Sequence, residues 1–194
     1  MPILQWCPTG HFTFLPIHAA GYYAEQATEC AADYFISSYT PTIAALLAHS
    51  SVPSSHPFKM MVVIQTSELH STKKELENIQ KHVSSDALVT FGVPGTVANV
   101  ETVASCLSEA SIVHFACHGK QDRLKPLNSG LKLDDGLLRI SRIMKETSLD
   151  GSLAFLCACE TAMGDENLPD EAMSLGASLL FSGFHSVIAT MWYV

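Results

Sequence analysis

The chain has 194 residues, a formal net charge of -8, and 47% hydrophobic against 15% charged residues. That balance argues against a disordered tail and for one ordinary domain with a sizeable core, its sheet covered on both faces. Only 11 residues are basic and no Lys/Arg run is longer than Lys73-Lys74, so the sequence lacks the basic patch that a nucleic-acid partner needs.

Residues 4–7 and 12–15 flank Pro8-Thr9-Gly10, a turn signal, and predict an N-terminal β-hairpin. Residues 22–32 predict a short helix and residues 34–39 a strand. Thr40-Pro41 opens a helix to about residue 48, with Pro in its first turn. Residues 50–57 (SSVPSSHP) are linker-like but short, and read as a loop within a single domain spanning 1–194.

Beyond that loop, strands and helices alternate. Buried strands are expected at 59–65, 87–93, 111–119, 152–162 and 186–192. A helix over 69–83 would carry Leu69, Leu76, Ile79 and Val83 on one face, and one over 97–107 would carry Val97, Val100, Val103 and Leu107. A hairpin is expected around Asp134-Asp135-Gly136, a helix at 140–145 and another from about residue 171. Such alternation predicts an α/β fold with a mostly parallel central sheet and helices on both faces. A doubly wound domain usually covers its last strand with one more helix. None follows here, so the chain reads as a fragment or a shortened version.

Residues 172–194 contain no Asp, Glu, Lys or Arg and are long enough to span a bilayer. They also hold four serines, two glycines, a threonine and a histidine, without a basic flank. Helix, glycine turn and strand explain them better than a membrane span. The six cysteines, at 7, 30, 106, 117, 157 and 159, do not make a disulfide framework; four lie in apolar runs or on expected helix faces. Met1-Pro2-Ile3-Leu4 does not read as a secretory leader. A reducing, cytoplasmic setting is the expectation.

His118 and Cys159 each sit near the end of an apolar run, in SIVHFACHG (111–119) and SLAFLCACETA (152–162). If the two strands are neighbours in a parallel sheet, their ends meet at one edge and bring an imidazole to a thiol. That pair is the minimum for a cysteine nucleophile with a general base. Gly119 follows His118, and its uncrowded N–H could hold an oxyanion, with the Cys159 N–H as a second donor. The alternative is a buried His and a buried Cys at strand ends.

His114 and His118 would share a strand face about 13 Å apart, too far to chelate one metal, so His114 reads as core. Cys157 and Cys159 form a C-x-C, but no second cysteine pair completes a zinc pattern, and Cys157 also reads as core or as half of a redox pair. Asp165, Glu166, Asp170 and Glu171 could line a pocket for a Lys or Arg side chain, or could form a solvated loop and an acidic helix start. Glu160 adjoins the thiol and could hold the loop. His18, in PIHAAG, reads as part of a turn, with a catalytic base as the lesser alternative. There is no phosphate-binding loop, G-x-G-x-x-G or G-x-S-x-G, which leaves a small-molecule-binding doubly wound domain without its loop.

The chain resembles the CHAT domain, the caspase-like domain often found after tetratricopeptide repeats. The resemblance runs through WCPTGHFTFLPIHAAG (6–21), SSYTPTIAAL (37–46), VHFACHG (113–119), LCACETA (156–162) and EAMSLGASLLFSGFHSVIATMW (171–192), in a variant similar to those of mushroom-forming fungi. It implies the clan of cysteine peptidases that includes caspases, metacaspases and separase. Carried onto this chain, His118 is the base, Cys159 the nucleophile and Gly119 an oxyanion donor. No metal or organic cofactor is implied. Family members usually carry Ser where Cys157 stands.

The family domain also has helical sequence before its first hairpin and a covering segment after the tryptophan, and this chain reads as lacking both. The leading expectation is a cysteine endopeptidase acting on protein substrates, regulated by tetratricopeptide-type or other modules, without a nucleic-acid or membrane partner. The alternative is a catalytically idle CHAT-like interaction module.

Overall fold

The computed structural model describes residues 1–24, 27–47, 57–65, 69, 71–122, 124–146, 151–158 and 174–190. These fall into two compact units, residues 1–47 and the described residues from 57 onward.

In the first unit, strand β1 (Ile3–Trp6) is followed by 3-10 turns at Gly10–Phe14 and Ile17–Ala19, then β2 (Gly21–Ala24), β3 (Ala27–Cys30), a 3-10 turn at Ala31–Asp33, β4 (Ile36–Tyr39) and the short helix α1 (Ile43–Leu47). Pairing here departs from the sequence expectation. The segment after Pro8-Thr9-Gly10 is a 3-10 turn rather than a returning strand, and β1 pairs in parallel with the distant β4, Ile3 opposite Ile36 and Trp6 opposite Tyr39. An N-terminal hairpin does exist, but it is β2–β3, where residues 22–32 predicted a helix. The Ala-Glu-Gln-Ala stretch favours helix locally. Tyr22, Tyr23 and Thr28 favour strand, and cross-strand pairing prevails. Gly21 permits it, since a Cβ there would overlap the Glu29 carbonyl. The first turn of α1 is held by the Thr42 hydroxyl, which accepts from the Ala45 N–H at 2.9 Å, so Pro41 stands just outside the helix.

The second unit follows the expected alternation. Its elements are β5 (Met60–Ile64), α2 (Ser71–Ile79), β6 (Leu88–Phe91), α3 (Val100–Leu107), β7 (Ile112–Ala116), β8 (Gly119–Lys120), β9 (Gly130–Lys132), β10 (Leu137–Arg139), α4 (Ile140–Ile143), β11 (Leu153–Leu156), α5 (Leu175–Phe181) and β12 (Ser186–Ala189). Five strands form one parallel sheet in the order β12-β11-β7-β5-β6, flanked by helices. Strands β8, β9 and β10 form a separate antiparallel sheet, with β9–β10 as the expected hairpin across Asp134-Asp135-Gly136. No helix among the described residues is long and apolar enough to cross a membrane. Residues 174–190 are instead helix α5, a turn at Gly183 with φ +111°, and strand β12.

Alternation along the strands sorts side chains into two cores. Met61, Val63, Val113, Phe115, Ala154 and Leu156 face one way and pack with Val103 and Leu107 of α3, Ile140 and Ile143 of α4, and Leu175 and Leu179 of α5. Met60, Val62, Ile64 and Ala116 face the other way and pack with Leu76 and Ile79 of α2 and with Val83 beyond it. A sheet buried on both faces needs continuous apolar strands, and all five residues of β5 are buried. The expected α3 stripe is one residue too long. Val97 is exposed, because Asn99 caps the helix by accepting from the N–H groups of Glu101 and Thr102, which leaves Val97 outside it. The linker-like residues 50–56 lie outside the described residues.

Candidate active site

The strand order reverses at the middle of the sheet. From β5 the chain crosses to β6 on one side, then returns past β5 to β7 on the other. The crevice at the carboxyl ends of β5 and β7 is therefore a topological switch point, where ligands gather in open α/β sheets. His118 stands two residues past the end of β7, at that crevice.

Two elements hold the His118 backbone. Its N–H donates to the Gln65 Oε1 at 3.2 Å, and Gln65, the buried residue just after β5, itself donates its N–H to the Ala116 carbonyl at 3.1 Å. On the other side, the His118 carbonyl accepts from the Lys132 N–H of β9 at 2.8 Å. Gly92 closes the neighbouring edge. Its φ is +79°, and a Cβ would overlap the Ile64 carbonyl at the end of β5. Gln65 carries no chemistry but positions the turn. Its signal in the sequence is an amide closing an apolar strand, MMVVIQ.

Gly119 opens β8, an edge strand of the small antiparallel sheet, opposite Leu131. The bond from the Lys132 N–H to the His118 carbonyl makes Gly119–Leu131 a non-hydrogen-bonded pair, so the Gly119 N–H points away from β9.

Strand β11, which leads toward Cys159, is the hydrogen-bonded parallel neighbour of β7, with Leu156 opposite Phe115. The pairing continues past the strand end, where the Cys157 N–H donates to the Phe115 carbonyl at 2.8 Å. Cys159 lies outside the described residues, as do Glu160, Asp165, Glu166, Asp170 and Glu171. His18 belongs to a different arrangement. Its N–H donates to the Tyr39 hydroxyl at 2.9 Å and its Nδ1 lies 2.8 Å from the same oxygen.

His114 and Cys157 lie in the core as expected, and a carboxylate meets them there. His114 is buried on β7, stacked on Phe155 of β11 with centroids 5.3 Å apart, and its Nε2 lies 3.0 Å from the Glu75 Oε2. The half-buried Cys157 thiol is pushed up to about 11, by burial first and then by the charge and hydrogen bond of Glu75. Cys117, fully buried between Ala116 and His118, is pushed up to about 12 by burial alone. Neither thiol is ionised at neutral pH, so neither offers a ready nucleophile. Nothing in the sequence alone sets Glu75 apart from the other acidic residue of α2. In the structure it falls between Thr72 and Ile79, at helical spacing on the inward face of α2.

The model of the CHAT domain family matches residues 2–194. The chain belongs to the CHAT domain family. A search of curated proteins gives no match. A CHAT domain is of the caspase-like peptidase kind, and the five-stranded parallel sheet flanked by helices agrees with that fold. The family match falls on the switch-point sheet and His118 together, and includes the unit formed by residues 1–47.

Proposed function

We propose that this CHAT domain is a cysteine endopeptidase of the caspase and separase type, cleaving protein substrates with a His118–Cys159 dyad. The observation that carries the reading is the position of His118 at the switch point, its backbone fastened to the ends of β5 and β9. The adjacency of β7 and β11 supports it, because Cys159 follows Leu156 by three residues in the sequence.

In this reading His118 takes the proton from the Cys159 thiol, and the thiolate adds to the scissile carbonyl carbon. The carbonyl electron pair moves to oxygen, where the Gly119 N–H donates a hydrogen bond to it. Collapse breaks the C–N bond; His118 returns the proton to the leaving amine, and a thioester remains. Water then gives a proton to His118 and adds to the thioester, and a second collapse releases the acid and the Cys159 thiolate, which takes that proton back from His118. Asp165 and Glu166 would favour Lys or Arg before the cleaved bond. A tetratricopeptide-type module would regulate access, and a reducing cytoplasm would keep the thiol free.

The test uses the purified chain, peptides with Lys or Arg before the scissile bond, and an iodoacetamide-type probe. Cys159→Ala lowers kcat/KM more than about a thousandfold, and His118→Ala lowers it by about a hundred- to ten-thousandfold. Cys159 labels fastest, and His118→Ala slows it, while Cys117 and Cys157 stay slow. A folded protein that cleaves no peptide and labels uniformly slowly is an interaction module instead.

A further inference from the structure

Three donor atoms of different kinds converge beneath α2. The Glu75 carboxylate, the His114 imidazole and the Cys157 thiol each offer one, and all three lie within 4.8 Å of one another. They come from three elements: α2, β7 and the residue after β11. We infer that Glu75, His114 and Cys157 form a binding site for a zinc-type divalent cation, distinct from the peptidase dyad.

The fold fixes this arrangement rather than leaving it to rotamer chance. Strands β7 and β11 are paired in register, His114 opposite Phe155. Cys157 lies two residues past Phe155 and so on the same sheet face. Stacking on Phe155 sets the plane of the His114 ring and aims its Nε2 at Glu75, 3.0 Å away. The Glu75 side chain reaches down from the helix and is 37% exposed, against 10% for His114, so the carboxylate is the more solvent-facing of that pair.

The donor set selects the ion. A thiolate and an imidazole disfavour calcium and magnesium, which take oxygen ligands. Thiolate, imidazole and carboxylate together suit zinc, and three protein ligands leave the fourth tetrahedral position to water. Tetrahedral zinc with bonds of about 2.0–2.3 Å places its ligand atoms roughly 3.3–3.8 Å apart. The observed separations, all within 4.8 Å, are at most about 1.5 Å wider than that shell. On binding, the Cys157 thiol loses its proton to solvent and the Glu75 carboxylate exchanges its hydrogen bonds for the metal. The ion then ties α2 to two central strands.

The test is a Co²⁺ titration of the full chain, freed of metal by chelation and kept reduced. The expected result is saturable binding with a sulfur-to-cobalt charge-transfer band that Zn²⁺ abolishes. Cys157→Ser removes the band, His114→Asn and Glu75→Gln weaken binding more than about tenfold, and Cys159→Ala keeps it. As a second readout, Zn²⁺ raises the Tm of the wild-type protein but not of Glu75→Gln, whose half-exposed carboxylate can be changed without opening the core. A wild-type protein without the band, a band that survives Cys157→Ser, or a Zn²⁺-induced Tm shift unchanged in Glu75→Gln overturns the inference. The Cys159→Ala arm keeps this outcome separate from that of the peptidase test.

Discussion

Residues 1–47 and the switch-point sheet are both rich in apolar side chains, yet they use them differently. In the sheet, β5 buries every residue and Phe115 of β7 is fully buried between layers. In the N-terminal unit β2 is exposed along its length and β1 alternates between exposed and half-buried. Among the described side chains of residues 1–47, Thr40 and Ala45 are the buried ones, while Tyr22 is 73% exposed. Two-stranded sheets have too little surface to cover their own faces. Polar contacts join its elements: the Tyr39 hydroxyl on His18, the Asp33 carboxylate accepting from the Cys30 N–H at 2.7 Å, and the Ala20 carbonyl accepting from the Ala31 N–H at 2.9 Å. Apolar composition thus predicts burial only where a second layer lies against the strand.

The comparison can be pressed with substitutions on either side of it. The largest effect is expected from Phe115→Ala, which removes a side chain packed between β7 and the helices of the first core. Denaturant melts should show a loss of about 3–5 kcal/mol. A loss below about 1 kcal/mol would mean that the sheet does not carry the stability assigned to it.

A pH-dependent effect comes next. The ordinary thiol value is 9.0, and burial pushes Cys117 up to about 12. Between those values the folded protein keeps a proton that the unfolded chain releases. Stability is therefore full below pH 9 and falls as pH rises toward 12, by up to about 4 kcal/mol at about 1.4 kcal/mol per unit. Cys157, pushed up to about 11, acts in the same direction. Melts across that range should be flatter for Cys117→Ala than for the wild-type protein. An unchanged slope would show that the thiol is not the group responsible. The smallest effect is expected from Tyr22→Ser in the N-terminal unit, within about 0.5 kcal/mol by the same melts.

Much of the sheet unit was legible in the sequence because its strands are short apolar runs and its helices carry spaced stripes. The MMVVI and SIVHFA runs, the Asp-Asp-Gly hairpin and the helix-turn-strand of 174–190 all stand close to where the pattern put them. The N-terminal unit was less legible. Parallel pairing of β1 with β4 is nonlocal and leaves no local mark, and the β2–β3 hairpin is written in residues that also suit a helix. At the candidate site, His118 and Gly119 were readable from their place after an apolar run. Gln65 shows as an amide closing an apolar run, but its role does not, since that depends on a strand far away in sequence.

The sequence by itself determined the family, the alternation of strands and helices, and the residues that can carry chemistry. Tertiary structure decided which of those residues meet. Register between β7 and β11 sets His114 and Cys157 on one face, and α2 brings Glu75 down to them. Strand order puts His118 at the crevice between β5 and β7. The physical reason is that periodicity assigns a side chain to a face, whereas a site needs faces from separate elements to converge, and only strand order and layer packing bring them together.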